Sequence, residues 1–194
     1  MGLTALGVDP ALGGGMALVA ADLSEKLTIL DCSTTYNLSR TEEQLELIGW
    51  YVVKYRPSVV IIEFDSQQKG LGNDERLRAL GHRHGFTIRP HLTRQKKMDE
   101  VFGVASMDQS FKKGDIRIPY KDQADKDRMA DLIAQLKAWR PDIATKHLTQ
   151  DLVMALWFVH LFWFETRRVH TPEPAPAWRP SWLKEPAYPG RYVA

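Results

Sequence analysis

The chain has 194 residues, 44% of them hydrophobic and 26% charged, and a formal net charge of +2. That length fits one domain with a short appendage and leaves no room for a second large one, while the apolar content excludes a wholly disordered polymer. The single cysteine, Cys32, excludes internal disulfides and cysteine-rich zinc sites, so any metal must be held by oxygen or imidazole.

Thr4 to Val8 is short, apolar and β-prone, and Gly13-Gly14-Gly15 separates it from a second such run, Met16 to Ala20. Leu27 to Thr34 is a third strand-like segment. Thr41 to Tyr55 places Leu45, Ile48 and Val52 on one helical face, and Arg56-Pro57 stops that helix. Ser58 to Ile62 is a continuous Val/Ile run of the kind buried on both faces of a largely parallel sheet. The pattern predicts a helix over Asn73 to His84 capped by Gly85, then a short strand, Thr87 to Pro90. Residues 93 to 113 read as helical, Ile116 to Ile118 as a brief strand and Gln123 to Trp139 as another helix. A last helix begins near Thr149. Its apolar stretch, Leu152 to Phe164, is shorter than the roughly 20 residues a bilayer demands, so a buried helix and no membrane contact are expected. From Thr171 to Ala194 the density of Pro and Trp forbids regular structure, which divides the chain into a domain at 1–170 and a tail at 171–194. Three antiparallel strands followed by alternating helices and strands predict an α/β fold of the RNase H-like layout, a mixed central sheet flanked by helices.

Three acids stand apart from ordinary surface carboxylates. Asp9 follows the first apolar strand, Glu63 ends the Val/Ile strand, and Asp151 begins the most apolar helix. Each marks the end of a core element, where an unpaired charge is costly and a shared cation removes the cost. Carboxylates of this kind suit two Mg²⁺ or Mn²⁺ ions, which activate a water and clamp a phosphate. Blander roles are also open: Asp9-Pro10 suits a turn, and Asp151 suits the positive end of a helix dipole. Asp65, two positions past Glu63, is the alternative strand-end acid. His147, four residues before Asp151, is an alternative ligand or proton shuttle. His160 reads as a satisfied core residue, and His82, His84 and His91 show no ligand spacing.

The run from Thr149 to Trp157, TQDLVMALW, resembles the closing motif of the nuclease domain of phage large terminase subunits. VVIIEFDSQQ at 59 to 68 is similar to that family's second acidic strand, GVDPALGGGM at 7 to 16 to its first, and Gly114 to Pro119 with Leu132 to Leu136 to its hairpin and following helix. The likeness spans roughly residues 4 to 168. One departure is Gln150, which stands where many relatives carry a further acid. The resemblance implies a metal-dependent endonuclease that cuts concatemeric viral DNA in the host cell cytoplasm. It further implies an ATPase domain upstream in the same subunit, and the portal and small terminase subunit as partners. Cutting duplex DNA without sequence preference calls for phosphate-directed cations. The candidates are Lys69, Arg76, Arg78, Arg94, Lys96, Lys97, Lys112 and Lys113, although Arg76 and Arg78 cannot both face one side of a helix. GVDP at 7 to 10 also resembles the opening of Holliday-junction resolvases, the main rival reading. An actin-like ATPase fragment, with Asp9 and the glycines cradling phosphate, and a DNA-binding scaffold with a degenerate site are further alternatives.

Overall fold

The computed structural model describes residues 2–11, 15–36, 38, 40–64, 69–93, 103–140 and 151–170. Strands β1 (Thr4–Ala11), β2 (Gly15–Asp22) and β3 (Leu27–Thr35) form the expected antiparallel opening. Helix α1 (Thr41–Tyr55) leads to β4 (Val59–Glu63), and α2 (Lys69–Asn73) and α3 (Glu75–His84) lead to β5 (Thr87–His91). Then come α4 (Ser106–Lys112), β6 (Ile116–Arg117), α5 (Gln123–Ala138) and α6 (Asp151–His170). The strands make one six-stranded sheet in the order β5-β4-β1-β2-β3-β6. β4 joins β1 in parallel, β5 joins β4 in parallel and β6 joins β3 in parallel, so β2 alone among the described strands runs against the rest. No helix among the described residues is long and apolar enough to cross a membrane.

Three local expectations change. β1 runs through Asp9 and Pro10 to Ala11, and a proline lacking its N–H is tolerated so near a strand end. The helix expected over Asn73 to His84 breaks at Asp74, whose carboxylate accepts from the Arg76 N–H and caps α3. Gly85, at φ 73°, closes α3 as expected. Of the helix expected over 93 to 113, only α4 is observed; Thr93 lies just past β5, and 94–102 fall outside the described residues, as does the tail from 171.

Both sheet faces are covered, which is why β1, β2 and β4 read as unbroken apolar runs rather than alternating ones. Leu6, Val8, Leu18, Val60 and Ile62 pack against α1 and α3 through Ile48, Val52 and Leu77. The opposite face carries smaller residues, Ala5, Gly7, Ala17 and Ala21, and receives α6. Leu152 through Val159 of α6 are all buried, as a helix apolar on every side must be. His160 is buried there too, with Nε2 2.9 Å from Ser110 Oγ. Burial pushes its pKa down to about 4 against the opposing pull of Asp115, so the ring is neutral at pH 7.

The closest approach is at Gly7. A Cβ there would sit 2.2 Å from the Ala155 carbonyl oxygen and 2.8 Å from Val159 Cγ2. Helix backbone cannot yield by that much without lifting α6 off β1. Gly7→Ala is therefore expected to destabilise the protein by at least about 2 kcal/mol, which lowers Tm by roughly 5 °C or more in thermal denaturation.

Candidate active site

Alternation along β1 puts Asp9 on the face of Ala5 and Gly7, the face covered by α6, and it is only 6% exposed. Glu63 shares the face of Val59 and Ile61, which pack into the same cluster, and is half-buried at the strand end. β1 and β4 pair in parallel with Val8 opposite Ile62, so one further step brings Asp9 level with Glu63. Their side chains thus leave adjacent strands at one height and on one side.

Asp151 opens α6, which starts at the same end of the sheet. His91, at the carboxyl end of β5, packs against Trp157 and Phe158, whereas Arg89, nearer the start of β5, stacks over Phe162 and pairs with Glu165. The helix therefore runs opposite to β5, with its N-terminus at the carboxyl end of the parallel strands. From the crossing at Gly7 and Ala155, Asp9 lies two strand residues further on, about 7 Å. Asp151 lies four helical residues back, about 6 Å, in the same direction. Both acids therefore lie toward the carboxyl end of the parallel strands from that crossing. Gln135 of α5, itself buried, accepts from the Leu152 N–H at 2.9 Å and so pins the first turn of α6 beside Asp151.

The donor set is chemically suited to a hard divalent cation: carboxylate oxygens, with the sole cysteine, Cys32, lodged between Asp31 and the Arg128 carbonyl under α5. Among the described residues, however, no three His, Cys, Asp or Glu side chains close around a metal position by themselves. Asp65 and His147, the alternative ligands, fall outside the described residues. The other strongly buried acid, Asp31 on β3, belongs to a different environment. It accepts from the Cys32 N–H at 2.9 Å, from Lys54 at 3.2 Å and from the Tyr55 hydroxyl, which satisfies it structurally.

The basic candidates do not form one surface. Lys112 and Lys113 precede β6, whose partners are Leu27 and Thr28 at the start of β3, so they lie at the opposite end of the sheet from Asp9. Lys112 is also paired with Asp108 at 2.5 Å. Arg76 is held by Asp74 at 2.8 Å and Glu42 at 2.7 Å, which raises its own pKa and lowers both carboxyl groups. Arg78 is exposed on α3, its guanidinium 3.4 Å from Asn73 Oδ1. Lys69 opens α2, and Arg94, Lys96 and Lys97 fall outside the described residues.

Two residues at this corner carry no local sequence signal: Gln135 and Thr93, whose hydroxyl donates to Glu63 Oε1. Each contact joins elements far apart in the chain.

No protein-family model matches the sequence, and no curated protein matches it. Solved structures do. RuvC from T. thermophilus, in complex with a Holliday junction substrate, superposes with a TM-score of 0.52 at 15% identity, covering 87% of this chain and 97% of that one. The yeast mitochondrial Holliday junction resolvase Ydc2 gives 0.51 at 12% identity, covering 86% and 80%. The fold is RuvC-like. At these identities the likeness is one of fold, the mixed α/β layout that the order of elements in the sequence predicts. In this RuvC-like domain the acidic corner depends on the first turn of α6 staying where Gln135 holds it. Gln135→Met leaves the Leu152 N–H buried without its acceptor and is expected to cost about 1–3 kcal/mol in chemical denaturation.

Proposed function

We propose that the chain is a divalent-metal-dependent DNA nuclease of the junction-resolving kind, with Asp9, Glu63 and Asp151 as the carboxylates that hold Mg²⁺ or Mn²⁺. The observation that carries this reading is their placement: two parallel strand ends and one helix start, on one face and at one end of a RuvC-like sheet. When bound, two such ions activate a water and stabilise both oxygens of a phosphodiester displacement. The chain's own part is to hold the carboxylates rigidly, since all three project from regular elements rather than from loops.

Branched DNA is favoured as substrate because, of the structures named above, RuvC is in complex with a Holliday junction substrate and Ydc2 is a Holliday junction resolvase. A second reading, the nuclease of a genome-packaging motor acting on linear duplex, rests on the run from Thr149 to Trp157. Its partners would be the ATPase domain, portal and small subunit. A four-way junction and a linear duplex of the same arm sequences, offered together with Mn²⁺ or Mg²⁺, separate the two. The expected result is cleavage of the junction at least about tenfold faster, abolished by EDTA and reduced ~100-fold or more in Asp9→Asn, Glu63→Gln and Asp151→Asn, because ligand loss exceeds the 10–100-fold seen for ligand-supporting residues. Equal cutting of the linear duplex would favour packaging. Full activity in all three variants would reject the site.

A further inference from the structure

Glu63 and His91 are register partners at the carboxyl ends of β4 and β5, and the Phe64 N–H donates to the His91 carbonyl at 2.7 Å, carrying the pairing one step past the strands. The His91 ring lies 4.5 Å from Phe158 and meets Trp157 edge-on at 5.0 Å. The end of β5 is thereby clamped between its neighbouring strand and the helix that bears Asp151. Thr93, two residues further on, donates its hydroxyl to Glu63 Oε1. An ionised carboxylate only accepts, so the direction of that bond is fixed.

A glutamate at a strand end has three rotatable side-chain bonds, and Glu63 is only half-buried, so packing alone does not orient its carboxylate. A hydroxyl donating to Oε1 sets the carboxylate plane and so constrains where Oε2 lies. We propose that Thr93 is a positioning residue, holding the Glu63 carboxylate in the orientation that a divalent cation requires. The proposal rests on the reading of Glu63 as a metal ligand. Residues that hydrogen-bond a ligating carboxylate raise metal affinity 10–100-fold, a larger effect than a half-exposed hydroxyl has on folding.

The test uses the full chain with Thr93→Val, which keeps the β-branched shape and removes the hydroxyl, Thr93→Ser, which keeps the hydroxyl, and Glu63→Gln. Mn²⁺ binding is measured by titration calorimetry, Tm by thermal denaturation, and the Mn²⁺ requirement by junction cleavage. Thr93→Val is expected to weaken Mn²⁺ binding about tenfold and raise the Mn²⁺ requirement by the same factor, with Tm within about 3 °C of wild type. Thr93→Ser is expected to restore both. Wild-type Mn²⁺ affinity in Thr93→Val, or no recovery in Thr93→Ser, would overturn the positioning role. If in addition Glu63→Gln weakened binding, the nuclease reading would stand. No loss of Mn²⁺ binding in Glu63→Gln, or none taken up by the wild type, would overturn both.

Discussion

The structure depends on how closely α6 lies on β1. Gly7 supplies the space, and Ala5, Ala17 and Ala21 keep the surrounding surface low, so a helix carrying Trp157 and Phe158 settles directly on the sheet. Any side chain at position 7 would occupy the place of the Ala155 carbonyl. Close contact fixes height as well as distance. With the crossing pinned at one point, Asp151 and Asp9 both fall on the side of it toward the carboxyl ends of β1 and β4. The acidic corner follows from packing in the interior, several ångströms below it.

A carboxylate at the end of a core element, such as the buried Asp9, is costly to hold, and the fold offsets this only in part. Asp151 stands at the N-terminus of α6, where the helix dipole favours negative charge. Thr93 shares the charge of Glu63 through a hydrogen bond, and Gln135 holds the helix start in place. Arg76 pairs with Asp74 and Glu42, and Lys112 with Asp108, rather than with Asp9, Glu63 or Asp151. A cation is the natural complement of such carboxylates.

Much of this architecture is legible in the sequence because the signals are local. The Val/Ile run ending at Glu63, the all-apolar helix after Asp151 and the glycine that closes α3 each carry their meaning within a few residues. The mixed sheet follows from their order. What stays hidden is tertiary. Nothing near Gln135 says that its amide will cap a helix 17 positions later. Nothing near Thr93 points to Glu63, 30 positions earlier, and the helical reading of 93 to 113 conceals it. The basic residues looked like one collection along the chain, yet the sheet separates Lys112 and Lys113 from the acids by its whole length, and Glu42 claims Arg76 from 34 positions away. Charge counts in sequence cannot foresee such pairings.

The central claim is that Asp9, Glu63 and Asp151 converge on one cation-binding corner, and diffraction from a crystal soaked in Mn²⁺ tests it most directly. The account predicts an anomalous peak at the carboxyl end of β1 and β4, with oxygens of at least two of these residues within about 2.3 Å of it, close to magnesium-like distances. Manganese bound elsewhere on the protein with this corner empty, or the three carboxylates turned away from a shared ion, would contradict it.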